Sequence, residues 1–450
     1  MPTNTSGAVA SAIAPPTDTL AIDFGTSNSA VAVLEDGKVR RIPIEGRSET
    51  LPTAVFFPKG SGTMRIGEAA IAALVEGEEG RFMRALKSVL GTDLMHEERF
   101  LGGRRRTLAD VIVAFLRELR TSAEAETGRT FRRVLSGRPV HFHDEPDADR
   151  RATNDLRACY AAAGFEDVAF LTEPEAAAVA SERTGGVNGG NGSGAAGIGL
   201  IVDIGGGTSD FSVYRTANGR PDVLATGGIR LGGTDFDRAL SIARVMPELG
   251  LGSQLRRAMG SGLLPVPRAP FIELATWVRI PFLYSRETRA MVDGMVRLAV
   301  EPERLERLAH VLEMETGHDL AFAVERAKIA ANERGDGAGN AVPIAMDAIA
   351  PGLTVAIAPN DLNAVLANER VRLRKTAAST LAEGGVEPDD VDRIVLVGGS
   401  SLMAFVRDEM TTLCPRAEMH IANVFTAVVD GLAIVSGSHG AVRKVEGVPQ

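Results

Sequence analysis

The sequence predicts an α/β protein built from two similar lobes. One observation is an internal duplication: residues 21–28 and 202–210 both read as a strand, an aspartate, a glycine turn and a hairpin. The aspartates of the two copies, Asp23 and Asp203, are 180 residues apart. The other observation is that helix and strand signals alternate through most of the chain. Alternation of this kind is typical of sheets covered by helices, and the repeat predicts two such units facing each other.

Composition sets the broad class of the protein. The chain has 450 residues, 44% of them hydrophobic and 24% charged, with a net charge of −9. These values are typical of a globular protein, and the acidic balance argues against a general nucleic-acid binder. Two cysteines, Cys159 and Cys414, exclude a disulfide framework and favour a reducing compartment, the cytoplasm. No apolar run is long enough to predict a membrane span.

The expected organisation has four parts. They are a disordered tail (1–18), lobe I (19–197), lobe II (198–437, with a variable subdomain at about 240–320) and a short tail (438–450). Lobe I ends in a Gly/Asn-rich loop at 184–197. Its glycines fit a dinucleotide motif by spacing, but that motif must follow a strand and open a helix, and this one does the reverse.

In lobe I the elements follow from turn and cap signals. Strands are predicted at 19–23, 29–34 and 38–42, with Asp36-Gly37 as the hairpin turn. Thr107 caps a helix to Glu126 that has apolar residues at helical spacing. The remaining predictions are strands at 134–135, 140–142 and 168–171, a helix at 147–163 with an aspartate cap, and a helix from Pro174 to about 183.

In lobe II the hairpin copy predicts strands at 199–203, 209–214 and 223–227. The proline-rich stretch 250–300 is predicted to be irregular, either a partner surface or filler, and Trp277 within it is a core residue or a partner anchor. Further predicted helices are 235–246, 320–333, 359–383, one from about 403 and 425–436, and further strands are 342–344, 353–357 and 394–397.

The duplicated turns indicate phosphate chemistry. Glycines let backbone N–H groups approach a phosphate closely, and Thr26, Ser27 and Thr208 add hydroxyl donors. Asp23 and Asp203 would repel phosphate unless a divalent cation lies between them, and magnesium commonly holds waters between carboxylates and phosphates. A third pair, Gly398-Gly399, ends an apolar strand, where open α/β sheets bind ligands. No P-loop motif occurs.

Six segments in order resemble the nucleotide-binding domain of the 70-kDa heat-shock chaperone (DnaK) family, within the actin/hexokinase/heat-shock ATPase superfamily. They are Ile22–Ser27, Leu171–Ala178, Val202–Asp210, Leu231–Asp237, Glu325–Lys328 and Ile394–Ser400. The resemblance covers about Leu20 to Gly437. It implies a two-lobed actin-like ATPase fold, each lobe with a mixed β-sheet core flanked by helices, and ATP or ADP with Mg²⁺ as cofactors.

The resemblance also implies roles for single residues. Asp23 and Asp203 would organise the magnesium, Glu173 would orient the attacking water, with Asp210 as a second candidate, and Lys87 would reach the transferred phosphate. Glu325 and Lys328 would bind the ribose. Phosphate contacts would come from Gly25, Thr26, Ser27, Gly205, Gly206, Gly207, Thr208, Gly232, Gly233 and Thr234, and the adenine wall from Gly398, Gly399 and Ser400.

Three features depart from the family pattern. Ile329 and Leu402 stand where family members carry arginines, one of which stacks on adenine, and residues 423–426 replace the family's Asn-Pro-Asp-Glu. Weaker nucleotide binding is therefore expected. No hydrophobic linker or peptide-binding domain is recognisable after Gly437, as in the short chaperone-like proteins of YegD type.

The expected function is slow ATP hydrolysis coupled to lobe movement. The expected partners are nucleotide and another protein (a client, co-chaperone or exchange factor) for a monomer that binds neither nucleic acid nor membrane. Two alternatives stay open. One is a nucleotide sensor or assembly protein with little turnover, and the other is a small-metabolite kinase of the same superfamily.

Overall fold

A computed structural model describes residues 18–60, 63–183, 197–217, 220–334, 341–423 and 425–437. The predicted tails and glycine-rich loop fall almost entirely outside these residues. Among the described residues, no helix combines the length and apolarity that crossing a membrane requires.

The strands are short and spread along the whole chain. They are β1 (Thr19–Phe24), β2 (Asn28–Glu35), β3 (Lys38–Arg41), β4 (Leu51–Pro52), β5 (Ala54–Pro58), β6 (Arg65–Ile66), β7 (Gly80–Arg84), β8 (Arg99–Leu101), β9 (Arg104–Arg106), β10 (Arg133–Arg138), β11 (Asp167–Thr172), β12 (Gly197–Ile204), β13 (Ser209–Ala217), β14 (Arg220–Ile229), β15 (Gln254–Arg256), β16 (Leu263–Pro265), β17 (Val342–Ala345), β18 (Thr354–Ile357), β19 (Arg393–Val397) and β20 (Glu418–Ile421).

The α-helices alternate with these strands. They are α1 (Gly67–Val75), α2 (Leu108–Thr127), α3 (Pro146–Ala162), α4 (Glu173–Arg183), α5 (Gly233–Leu240), α6 (Ala269–Leu274), α7 (Arg286–Leu298), α8 (Pro302–Met314), α9 (Gly317–Arg334), α10 (Pro359–Val365), α11 (Ala367–Glu383), α12 (Ala404–Leu413) and α13 (Ala427–Ser436).

The two main sheets have the same topology. Their strand orders are β3-β2-β1-β10-β11 and β14-β13-β12-β19-β20, and β4 adds to β2 in the first sheet. In each sheet the first strand is antiparallel to the next strand in sequence and parallel to a later one. The duplication expected from sequence is therefore a duplication of the whole sheet, and the fold is the two-lobed actin-like one. Asp23 and Asp203 lie near the carboxyl ends of the corresponding strands β1 and β12.

Helices α4 and α13 fill the space between the sheets. α13 packs on β1, β2 and β10, α4 packs on β12, β13 and β14, and the two helices contact each other. Small side chains make this contact possible, because a Cβ atom on Gly431 would lie 1.8 Å from the carbonyl oxygen of Ala176. The turn that begins α4 carries Glu173, so this crossing positions one of the predicted catalytic residues.

Three predicted elements differ in the structure. Val140–Phe142 is not a strand, since Pro139 ends the pairing and the amides of Val140 and Phe142 donate to Asp210 and Asp149. Helix α3 starts at Pro146 without a side-chain cap. The predicted helix 359–383 is two helices that break at Leu366, whose ψ of 14° is not helical.

The stretch 250–300 is more regular than the prediction of an irregular segment, since it contains β15, β16, α6, a 3₁₀ turn at Trp277–Phe282 and α7. Pro270 lies in the first turn of α6, where helices accept proline, Pro281 lies inside the 3₁₀ turn, and Pro265 ends β16. Trp277 is a core residue, 3% exposed, and its indole N–H donates to Asp237. Both cysteines are buried, as expected, and unpaired.

His318, at the start of α9, gives the structure a built-in sensitivity to acid. Its ring packs edge-on against Phe82 at 4.9 Å, its Nε2 has no partner among the described residues, and burial lowers its pKa to about 3. The unfolded chain takes up this proton near pH 6.5 and the folded chain does not, so stability is present above that pH and is lost as pH falls towards 3.

We expect this histidine to lower the free energy of unfolding by about 1.4 kcal/mol for each pH unit that the pH falls below 6.5. His318→Leu should flatten the fall in stability between pH 7 and 4, measured by urea unfolding, whereas His141→Leu, at an exposed position, should not. Parallel curves for all three proteins would show that His318 is not the acid-sensitive group.

Candidate functional site: a cleft between two glycine loops

Two glycine loops face each other across the interface of the lobes. A Cβ atom on Gly206 would lie 2.3 Å from Ser27 Oγ, and one on Gly207 would lie 2.8 Å from Thr26 Oγ1. Only glycine allows this approach. The amides of Thr26, Ser27, Gly206 and Gly207 donate to no protein acceptor within the described residues. The structure thus presents converging N–H and hydroxyl donors, as an anion requires.

Two further loops join this pair. Gly233 N and Thr234 N donate to the carbonyls of Gly205 and Gly206, and the Thr234 hydroxyl donates to Gly206 as well. Gly398 has a φ of +77°, and a Cβ atom there would lie 2.4 Å from the Ile204 carbonyl. The predicted phosphate and base segments therefore converge, although they come from distant parts of the sequence.

A cluster of carboxylates lies beneath the loops. Lys87 Nζ is 2.5 Å from Glu173 Oε1, and both side chains are buried. Asp210 accepts a hydrogen bond from the amide of Val140 through Oδ1 (2.6 Å), while its Oδ2 has no partner within the described part of the chain. The three residues predicted to be catalytic are thus neighbours.

Burial and mutual repulsion keep this cluster from being fully ionised. Burial first, and then the charge of Glu173, raises the pKa of Asp23 to about 7 and that of Asp210 to about 8. The same causes raise the pKa of Asp203 well above its usual range. Burial opposes the charge of Lys87, but Glu173 and Asp23 outweigh it and raise the pKa of the lysine.

The cluster fits a magnesium ion held through water. Asp23 and Asp203 both line the cleft, and a cation between them would relieve the carboxylate repulsion that contributes to their raised pKa values. No group of three His, Cys, Asp or Glu side chains in the described residues could bind a metal directly. Magnesium usually keeps several waters and takes one or two carboxylates together with phosphate oxygens, so two aspartates suffice.

The cleft itself has a volume of about 620 Å³. Two predicted ribose ligands line it but already have protein partners. Lys328 pairs with Asp237 at 2.6 Å and donates to the Gly233 carbonyl, and Glu325 is held by Arg84 through two hydrogen bonds of 2.8 and 3.2 Å. A ribose would have to share these groups or displace their partners.

The wall of the cleft beyond the ribose ligands combines apolar side chains with the polar side chains of Asn332, Glu333 and Arg407. Ile329 is 47% exposed and lines the cavity with Leu402, and Phe425 lies against Gly399, where a Cβ atom would be 3.1 Å from the ring. Ser400 also lines the cavity there. Where the family resemblance implies one adenine-stacking arginine (position 329) and a second arginine (position 402), this chain offers aliphatic side chains, with Phe425 nearby.

Comparison with known sequences identifies the family. The family described as Hsp70 protein matches residues 19–246, just over half of the chain. The chain belongs to the Hsp70 family. It is similar to the chaperone protein DnaK of Endomicrobium trichonymphae, 35% identical over 232 residues, which are 49% of this chain and 34% of that relative. The match thus spans about a third of the relative's length.

Hsp70 membership implies nucleotide binding, and the cleft is the candidate site for it. The glycine loops at 25–27, 205–208 and 232–234 lie within the matched stretch, as do Lys87, Glu173 and Asp210. Glu325, Lys328 and Gly398 lie beyond it. The roles of all these residues, inside and outside the matched stretch, remain predictions.

Sequence reasoning missed three residues of this Hsp70 cleft. Arg84 and Asp237 pair with Glu325 and Lys328, and Phe425 lines the base end. Asp237 lies at the end of the motif Leu231–Asp237, and its spacing on α5 could have placed it near the cleft. Arg84 carries no signal, because nothing in one sequence separates it from the other arginines of lobe I.

Arg84 joins the lobes above the cleft, and removing it should speed nucleotide release. Its guanidinium bridges β7 to α9 through Glu325 and stacks on Trp277 at 4.8 Å. Loss of this two-pronged bond, about 1.5 kcal/mol, should raise the dissociation rate of a fluorescent ADP analogue about tenfold in Arg84→Gln.

A matched control tests whether closure of the cleft is the cause. Arg65 makes a similar two-pronged bond to Glu78 within one lobe, at 2.6 and 3.0 Å. Arg65→Gln should release the analogue at the wild-type rate in stopped-flow measurements. Equal rates in wild type and Arg84→Gln would show that the bridge does not hold the cleft closed.

Proposed function

We propose that this chain binds Mg–ATP between its lobes, hydrolyses it slowly and uses the resulting lobe movement to act on another protein. The observation that carries the proposal is the pair of facing glycine loops with unpartnered amides above a buried lysine–carboxylate cluster. Donors that converge on one point stabilise the charge that develops in phosphoryl transfer.

Different side chains of the cleft would perform different parts of the reaction. Lys87 would offset charge on the transferred phosphoryl group, at the position where its Nζ now meets Glu173. Glu173 would orient the attacking water once the lysine turns towards phosphate, and the free Oδ2 of Asp210 is a second acceptor for that water. Asp23 and Asp203 would hold the waters of magnesium, which when bound neutralises phosphate charge.

The apolar side chains at the base end support purine binding without an arginine at position 329, where the family has one that stacks on adenine, although Arg407 also lines the cleft. Ile329 and Phe425 provide contact area, but neither supplies a cation for the face of the base. We expect weaker binding than in chaperones that retain both arginines. The lobe boundaries at 197 and 198 and a monomeric state are parts of this proposal that rest on the sequence.

The lobe movement would act on a protein partner, which would be a client, a co-chaperone or an exchange factor. The relative named above is a chaperone, and this likeness supports a chaperone-like role. A cytoplasmic location is also proposed, since Cys159 and Cys414 are both free thiols.

A metabolite kinase is the second candidate, because a larger cavity of about 830 Å³ lies beside the phosphate loops. A kinase needs a catalytic base facing its acceptor. The cavity lining includes none of Lys87, Glu173 and Asp210, and of its own acids Glu97 and Glu273 pair with arginines and Asp235 caps α5, which leaves Asp93 as the candidate base. A sensor with little turnover differs from the proposed ATPase only in rate.

Phosphate release without an added acceptor tests the proposal. The purified protein with Mg–ATP should release phosphate slowly, and chelation of magnesium should stop it. Binding without release would favour the sensor, release only with added metabolites would favour the kinase, and either outcome would contradict slow hydrolysis as the function.

A further inference from the structure

The larger cavity is rich in arginine. It lies between the lobes on the far side of the loop 205–208 and contains five arginines. Arg99 pairs with Glu97 and Arg279 with Glu273. The other three, Arg230, Arg238 and Arg372, make no ion pair with a carboxylate in the described part of the chain.

Asp235 acts electrostatically on all three arginines, and Asp144 acts on Arg230. The Asp235 carboxylate also accepts the Gly232 amide at 3.0 Å as the cap of α5. The wall of the cavity as a whole carries five arginines against four acids, Asp93, Glu97, Asp235 and Glu273. This leaves one excess positive charge, which suits an oxyanion.

A small cavity lies between the arginine-lined cavity and the nucleotide cleft and shares wall residues with both. Thr26, Lys87 and Thr208 line both this small cavity and the cleft, while Gly207 and Arg230 line both it and the arginine-lined cavity. Its volume of about 20 Å³ has room for a water molecule but not for phosphate. In this structure a route for phosphate through the small cavity is therefore closed.

Arg230 closes the passage. Its guanidinium donates to the Ser88 carbonyl at 2.9 Å and to His143 Nδ1 at 3.0 Å. The other ring nitrogen of His143 faces the Leu90 carbonyl at 2.6 Å, which orients the ring. Since Arg230 follows β14 in lobe II and its partners belong to lobe I, separation of the lobes breaks these bonds.

We propose that the arginine-lined cavity binds inorganic phosphate as it leaves the nucleotide cleft, and that Arg230 gates this exit. The inference rests on the proposed ATP hydrolysis for the source of the phosphate. The oxyanion site itself stands on the arginines alone. Lobe movement opens the passage, and Arg238 and Arg372 receive the anion on the solvent side.

The first experiment tests the oxyanion site without relying on hydrolysis. Inorganic phosphate is titrated calorimetrically into the ADP-loaded protein, the double variant Arg238→Gln/Arg372→Gln, and Arg47→Gln, which alters an exposed arginine that lines none of these cavities. Two contacts of about 0.7 kcal/mol each should weaken binding in the double variant about tenfold, with Arg47→Gln unchanged. Equal affinity for phosphate in all three proteins would show that Arg238 and Arg372 do not form an oxyanion site.

A second titration separates the two sources of anion. Phenyl phosphate serves as a probe for phosphorylated ligands from solution. If it binds the arginine-lined cavity more tightly than inorganic phosphate, the cavity is a site for such ligands and the exit role is overturned. Equal or weaker binding supports the exit role.

The third experiment tests the gate. In a single turnover, ADP formation is followed by acid quench and free phosphate by a fluorescent phosphate reporter. Wild type should show a lag of phosphate behind ADP, and Arg230→Ala should shorten it about tenfold, for two lost hydrogen bonds, with ADP formation unchanged. The milder Arg230→Gln should also shorten the lag.

The outcomes separate this inference from the proposed function. If wild type shows no lag, or if both variants show the same lag as wild type, Arg230 does not gate phosphate release, while the proposed hydrolysis stands. If wild type forms no ADP, the proposed hydrolysis fails and the exit role fails with it, whereas phosphate binding in the first titration still decides the oxyanion site.

Discussion

Lys87→Ala should abolish most ATP hydrolysis while leaving nucleotide binding largely intact. The lysine is the cation within reach of Glu173, Asp23 and Asp210, and its Nζ lies 2.5 Å from Glu173. Removing one preorganised group that stabilises transition-state charge costs about 100-fold in rate. Single-turnover hydrolysis gives the rate, and calorimetric titration of Mg–ADP gives the affinity.

The matched control is Lys59→Ala. Lys59 is an exposed lysine of the same lobe, 75% accessible and paired with Glu79, so its loss should change neither quantity. Because Lys87 is buried, a melting curve must show that the variant is folded. Hydrolysis within about threefold of wild type in a folded Lys87→Ala protein would remove Lys87 from the catalytic group.

Gly431→Val should cause the largest loss of stability of any single change considered. The Cβ atom would lie 1.8 Å from the carbonyl oxygen of Ala176, which forces α13 away from α4. Both helices fill the space between the sheets, so relaxation would disturb both lobes. Overpacking at such a contact should cost roughly 3 kcal/mol or more, measured by urea unfolding.

Gly294→Ala is the control for glycine in a helix. Gly294 lies within α7, and a Cβ atom there meets only Arg297, at 3.8 Å. Alanine is the better helix former, so this variant should gain about 0.5 to 1 kcal/mol. A Gly431→Val protein as stable as wild type would mean that α4 and α13 are not closely packed in solution.

Local patterns predicted the elements of the sheets well. The hairpin turn at Asp36-Gly37 has the positive φ angles, 48° and 72°, that the sequence indicates, and Thr107 caps α2 with a reciprocal bond from Asp110. Both signals lie within a few residues of one another, and this is the range at which single-sequence reasoning has a physical basis.

Errors arose where tertiary contacts decide. Pro270 and Pro281 suggested irregular chain, yet Pro270 lies in the first turn of α6, a position that accepts proline, and Pro281 lies inside a short 3₁₀ turn. The break at Leu366 likewise has no local glycine or proline to announce it. Short strands such as β5 and β7 were missed because their pairing partners are distant in sequence.

The candidate site was predictable where motifs are duplicated and hidden where single residues pair across the lobes. Asp23 and Asp203 are related by the repeat, so each supports the assignment of the other. The partners Arg84 and Asp237 occur once, and only folding brings them to Glu325 and Lys328. Phe425 reaches the cleft through the turn before α13, a placement that no local pattern encodes.

Calorimetric titration of Mg–ATP and Mg–ADP is the most direct test of the central claim, the clamp formed by two glycine loops and two aspartates. Wild type should bind both nucleotides, and Asp203→Ala should lose magnesium-dependent binding. Asp222→Ala, at an exposed position of β14, should bind like wild type. Absence of binding to wild type, or equal binding by Asp203→Ala, would contradict the account and leave an Hsp70 fold without a working nucleotide cleft.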